Sequence, residues 1–130
     1  MTHCYIAIYK KDKMKLEDFH SLIFQHYDGY PEGNFGMEKK LSNFFSSNID
    51  LINMEPSNLS ALLLYFLMCD FQKRAIKGKF EDSFLEAFSI EKSFYISASY
   101  LYKIFPKKYQ IFEYIGGTKI WKLVSTHPIR

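Results

Sequence analysis

The stretch Tyr100-Leu101-Tyr102-Lys103-Ile104-Phe105-Pro106-Lys107-Lys108-Tyr109-Gln110-Ile111-Phe112-Glu113-Tyr114-Ile115-Gly116-Gly117-Thr118-Lys119-Ile120-Trp121-Lys122-Leu123-Val124 decides the fold class. Ile96, Ala98, Tyr100, Tyr102 and Ile104 alternate with serines, Leu101 and Lys103, which is the period of a strand. Pro106-Lys107-Lys108 supplies a turn, residues 109–115 form the next strand, and Gly116-Gly117 predicts a two-residue hairpin into residues 118–124. Paired glycines suit such a turn because it requires positive φ angles. The reading is a three-stranded meander.

Working outward, residues 4–9 set Cys4, Ile6 and Ile8 against Tyr5, Ala7 and Tyr9 and read as a first strand ending in charge at Lys10. Residues 21–27 fit a second strand, with Asp28-Gly29, Pro31 and Gly33 as turn chemistry behind it. Met37, Leu41, Phe44 and Phe45 then recur at helical spacing, with Glu38, Lys39, Lys40 and Asn43 assigned to the outer side. A polar stretch, 46–58, should hold a turn or short strand. A second helix opens at Ser57 or Asn58 behind Pro56 and stops before Gly78. It is apolar all round between Ala61 and Cys69, so it is expected to be sandwiched in the core. Phe80, Phe84 and Phe88 suggest a third, weaker helical segment. The expected architecture is one α+β domain over residues 1–130. Its single antiparallel sheet joins the N-terminal strand pair to the C-terminal three-stranded meander, and two or three helices cover one face.

Composition narrows the function classes. The 130 residues are 48% hydrophobic and 24% charged, which excludes wholesale disorder and a disulfide scaffold. The formal charge is only +3 and the lysines look scattered, an arrangement weaker than a dedicated nucleic-acid footprint. Cys4 and Cys69 sit in apolar runs, as buried thiols in a reducing compartment would. The longest apolar segment, 59–69, is half the length of a membrane span, so a cytoplasmic chain with no membrane partner is expected. No cofactor signature is present, since Gly29, Gly33 and Gly36 match neither a dinucleotide fingerprint nor a P-loop.

The unusual local feature is His26-Tyr27-Asp28-Gly29-Tyr30-Pro31-Glu32-Gly33, followed by Asn34-Phe35-Gly36. As a plain connector, Asp28 and Gly29 begin a turn, Pro31 stiffens it and Tyr30 packs over the core. Three functional versions stand beside that. His26 and Asp28 could share a metal ion, which His20, at the same parity but six residues back, could join only if the strand bends or ends first. Backbone amides around Gly33 and Gly36 could bind an anion at the helix start. His26 could act as a general acid or base oriented by Asp28 or Glu32. Two local ligands do not make a metal site, and His26 and Asp28 are the catalytic candidates.

The segment resembles a signature of small, largely uncharacterised proteins of phages, prophages and other mobile elements, in which an apolar strand runs into His-(Trp/Tyr)-Asp-Gly-Tyr-Pro-x-Gly. The resemblance covers residues 22–36, and more loosely the aromatic strand Tyr100-Leu101-Tyr102-Lys103-Ile104. It implies a mobile-element accessory protein in the host cytoplasm, a class in which anti-CRISPR-like inhibitors of host defence are common. It carries no residue roles.

The 18% aromatic content suggests two binding surfaces. Bases could stack on a sheet face with Lys103, Lys107, Lys108, Lys119 and Lys122 interleaved. More economically, Tyr27, Tyr30, Glu32, Gly33, Tyr100 and Tyr102, or a sheet edge, could meet a host protein, a ribonucleoprotein complex or a second copy as a homodimer. The expectation is a partner-binding protein rather than an enzyme. The alternative is a nucleotide-binding or nucleotide-processing enzyme with its site at the turn from His26 to Gly36.

Overall fold

The computed structural model describes residues 2–46, 53–75 and 87–129. Its elements are β1 (Cys4–Ile8), β2 (Ser21–Gln25), α1 (Met37–Ser46), α2 (Pro56–Ala75), β3 (Phe88–Ile90), β4 (Tyr100–Ile104), β5 (Lys108–Ile115) and β6 (Ile120–Pro128). The strands form one open six-stranded sheet in the order β3-β2-β1-β4-β5-β6. This is the expected α+β fold, with the N-terminal pair and the meander in one sheet.

The two halves join in parallel, which makes the sheet mixed. Four pairings are antiparallel, but β1 runs alongside β4 with Cys4 opposite Tyr100 and Ile8 opposite Ile104. Antiparallel neighbours can be joined by a short turn, whereas a parallel pair needs a long crossover. Here the chain between β1 and β4 carries both helices and two further strands. The added strand, β3, includes Phe88, which the phenylalanine spacing placed in a helix. The rest of that expected helix, at Phe80 and Phe84, lies outside the described residues, as do residues 47–52 of the polar stretch after Ser46.

The helices cover one sheet face. Cys4, Ile6 and Ile8 of β1 point toward them and pack with Met37, Leu41, Phe44, Leu63 and Leu67. α2 departs from the expected all-round burial: Leu59, Leu63, Leu67 and Phe71, one residue per turn, are buried, while Ala61 and Tyr65 are exposed. A helix lying on a sheet meets it along one stripe, so apolar composition on the other side does not by itself bring burial.

The other sheet face is covered by loops, and tyrosines hold them there. Tyr5, Ala7, Leu22, Phe24 and Leu101 form its core. The Tyr5 hydroxyl donates to Ile96 O at 2.6 Å and accepts from Ile96 N–H at 2.7 Å, which pins the chain ahead of β4. The Tyr9 hydroxyl donates to Leu16 O at 2.7 Å and pins the loop between β1 and β2. Phe94 meets both Tyr5 and Phe19 edge-on, at 5.0 and 5.5 Å between ring centroids. With both faces covered, β1 is buried at all five positions.

These burials fix the alkaline limit of the fold. Desolvation raises the hydroxyl pKa of Tyr5, Tyr9 and Tyr102 above the ordinary value, and pushes Tyr109 up to about 12. The folded state therefore keeps protons that the unfolded chain releases at about pH 10. Stability from these groups is fully present below that pH and is lost as pH rises beyond it. Tyrosine absorbance followed with circular dichroism should show the buried hydroxyls ionising together with unfolding. Their ionisation near pH 10 in a chain that stays folded would contradict this.

The hairpin between β5 and β6 also departs from expectation. Ile115 pairs with Ile120, so the loop has four residues, and the positive φ falls on Lys119 at 56° rather than on a glycine. Thr118 N–H and Lys119 N–H both donate to Ile115 O, at 3.1 and 2.9 Å, and the Thr118 hydroxyl joins them at 3.0 Å. Three donors on one carbonyl define this turn.

Candidate functional site

The segment from His26 to Gly36 folds as a knot of internal hydrogen bonds between β2 and α1. β2 ends at Gln25, whose side-chain amide donates to Tyr27 O at 2.6 Å and Asp28 O at 3.2 Å, curling the chain back. Asp28 then takes a φ of 56°, so strand parity does not extend from His26 to Asp28. Gly29 passes directly over β1: its N–H donates to Thr2 O at 3.0 Å, and an added Cβ would stand 2.8 Å from Cys4 Cβ. Its carbonyl accepts the Tyr102 hydroxyl at 2.6 Å. Tyr102 is fully buried, so the partner-facing role read for it is replaced by that of an anchor beneath the turn.

The Asp28 backbone angle gives a direct test. Asp28→Ala and Asp28→Gly remove the same side chain, but only glycine accepts positive φ freely. The alanine variant should be less stable than the glycine variant by about 1 kcal/mol in urea unfolding. Equal stability would mean that the left-handed geometry is absent.

His26 is braced by its neighbours. Its N–H donates to Ala87 O at 2.8 Å, and its ring stacks on His3 with centroids 4.4 Å apart. His3 donates from Nδ1 to His26 O at 2.8 Å, which fixes the His3 tautomer. Nothing in the local sequence ties His3 to this segment, yet the pairing of Cys4 with Gln25 sets it opposite His26. His20 lies at the far end of β2, where its N–H donates to Ile8 O. Among the described residues no three His, Cys, Asp or Glu side chains are grouped to hold a metal ion. Tyr27 stacks on Phe71 of α2 at 5.6 Å, tying the turn to the second helix.

The start of α1 is capped from within the same segment. Gly36 N–H donates to Gly33 O at 3.2 Å, Met37 N–H to Tyr30 O at 2.8 Å and Glu38 N–H to Pro31 O at 3.1 Å. These amides are the ones an anion would need at a helix start. A shallow cavity of about 310 Å³ does open beside them, lined by Pro31, Glu32, Gly33, Glu38, Lys39, Ser42 and Asn43. Its two carboxylates oppose phosphate, and His26 and Asp28 do not line it. Tyr100 is half-buried on β4. Its hydroxyl pKa is raised by burial and further by the charges of Glu32 and Glu113.

Lys40 was assigned to the outer side of α1 but is buried, 3.6 Å from Asp70 of α2. It falls on the same stripe as Met37, Leu41 and Phe44, a spacing that could have revealed it. Its charge only partly opposes the burial that pushes the Cys4 thiol far up, so Cys4 is held as an unreactive thiol.

On the far side of the helix face, His127 stacks on Tyr109 at 4.8 Å between centroids and its Nε2 contacts the Ser125 hydroxyl at 2.9 Å. The Glu38 carboxylate lies 3.9 Å from that same Nε2. A hydrolytic triad needs base and acid contacts on opposite ring nitrogens, so this group is no triad.

Large exposed apolar side chains gather at the sheet's other end, with Ile120, Leu123 and Val124 on β6 and Tyr114 on β5. β4 pairs with β5 as far as Glu113, and Tyr114 N–H still reaches Ser99 O at 2.9 Å, so the hairpin tip beyond it projects past its neighbour. In the sequence these aliphatic residues belong to the last strand of the meander and carry no sign of exposure.

The fold and these surfaces define a small α+β protein with one mixed, open sheet. No family model, curated protein or solved structure matches the chain. No helix among the described residues is long and apolar enough to cross a membrane.

Proposed function

We propose that this protein acts by binding a macromolecular partner, and that the β5–β6 hairpin is the surface that does so. The observation that carries this reading is the group of exposed apolar side chains on β6, an edge strand on which Ile120, Leu123 and the bulged Val124 are each about half exposed or more. An edge strand with exposed apolar side chains suits docking, because it offers backbone groups that no other described residue pairs beside side chains that gain from leaving water. The nucleotide-enzyme alternative is not adopted, since the amides at the start of α1 are bonded internally and the adjoining cavity carries Glu32 and Glu38. A role for a mobile element against host defence rests on the resemblance of residues 22–36 alone.

Photo-crosslinking tests the surface. A photoreactive residue at Leu123 should give adducts of defined mass in cells, whereas one at Asn34, exposed in the turn, should not. Adducts from position 34 alone would return the site to the turn.

A further inference from the structure

Resting on the reading that the chain binds a macromolecule, we infer that β6 takes an extended acidic peptide segment of another protein as a seventh strand. β6 is nine residues long, pairs with β5 on one side with a bulge at Val124, and has no described residue paired along its other side. The opposite edge, β3, has only three residues. Shortness is one protection against added strands, and β6 lacks it; its bulge at Val124 and its Lys122 restrict which strand can be added rather than closing the edge.

Charge selects the occupant. Residues 100–129 contain five lysines and one glutamate, whereas residues 1–99 contain eleven basic and thirteen acidic residues. The positive charge of the chain is therefore concentrated in the meander. Lys119 and Lys122 lie at the Ile120 end of β6, and Lys107 lies at the other, where Ile129 N–H donates to Lys107 O; the neighbouring Lys108 turns its ammonium over the Phe105 ring instead, 5.6 Å from its centroid. Glu113, the one acid, stands opposite Lys122. Between these ends the edge is neutral, from Leu123 to Thr126. A segment with acidic ends and a β-branched, uncharged middle matches this pattern.

A second copy does not match. Antiparallel self-pairing brings the lysines of one end against those of the other, and parallel self-pairing brings each end against itself. Nucleic acid would meet the lysines, but Leu123 and Val124 offer nothing to phosphate. The backbone ladder also has no role in such a complex.

The test uses the full chain and a nine-residue peptide with Glu at both ends and Val and Thr in the middle. Two controls accompany it: the same peptide with Lys for Glu, and the parent N-methylated at alternate residues. Calorimetry should show that the Glu peptide binds and weakens about fivefold or more between low and moderate salt. The Lys peptide should bind at least about tenfold more weakly, as should the Glu peptide to a chain carrying K119E and K122E. The N-methylated peptide should not bind. It leaves the protein untouched, so it decides the matter even if the charge-reversed chain misfolds. Amide exchange should slow in residues 120–128 on adding the Glu peptide. Equal binding of the Lys or N-methylated peptide, or no binding of the Glu peptide, overturns the inference. If a mixed-sequence oligonucleotide or self-association then protects residues 120–128, the hairpin remains a binding surface with a different occupant. If nothing protects them, both readings fail.

Discussion

Replacing Gly36 by alanine is expected to unfold the chain or come close to it. An added Cβ would stand 2.1 Å from Glu32 O and 2.3 Å from Pro31 O, both backbone atoms of the same segment. Neither carbonyl can retreat without opening the turn that supplies Gly33 O, Tyr30 O and Pro31 O to the first amides of α1. Three hydrogen bonds at about 1 kcal/mol each, with overpacking of about 1–3 kcal/mol, give a loss of roughly 4 kcal/mol or more. That is a large part of the ~5–15 kcal/mol that holds most domains together. Chemical denaturation would show it as a collapse of the midpoint. A loss below about 1 kcal/mol would mean that the cap does not have this geometry. Gly33→Ala probes the same turn differently, because Gly33 has room for a side chain but a φ of 88°.

The second large effect falls on Tyr102. Its ring is buried against the helix-side core, and its hydroxyl satisfies the carbonyl of Gly29 from below. Tyr102→Phe keeps the ring and leaves that acceptor without this donor, a cost of about 1–3 kcal/mol. Tyr102→Ala removes the ring too and should cost about 3–5 kcal/mol. The difference separates what the hydroxyl does for the turn from what the ring does for the core. Thermal unfolding of the two variants measures it. If the phenylalanine variant were as stable as the parent, Tyr102 would be core filling alone.

Both predictions concern residues whose importance was only half visible in the sequence. The glycines and the aspartate of the turn stand out because few residues tolerate such backbone geometry. The periods of β1, β2, α1 and the meander could be read directly, since each buries a regular stripe. Pairing across the crossover could not, because the side chains of β1 and β4 look the same whichever direction they run. β3 escaped because three residues are too few to show a period, and Phe88 continued a spacing of four that imitates a helix. Lys40 escaped for a different reason: its charge suggested solvent, while its position on the stripe of Met37 and Leu41 placed it inside, opposite Asp70.

The tyrosines were read as the aromatic residues closest to function, yet several serve the fold. Tyr5, Tyr9 and Tyr102 are buried rings whose hydroxyls each hold a loop carbonyl, so they join core packing to loop anchoring in one side chain. The surface proposed for binding is built instead of aliphatic residues on β6. In sequence these looked like an ordinary strand, and only the edge position leaves them uncovered.

Amide hydrogen exchange on the free chain and on the chain in its partner-bound assembly tests the central proposal most directly. New protection is expected along residues 120–128, with residues 26–36 unchanged. Protection of residues 26–36 with none along β6 would contradict it.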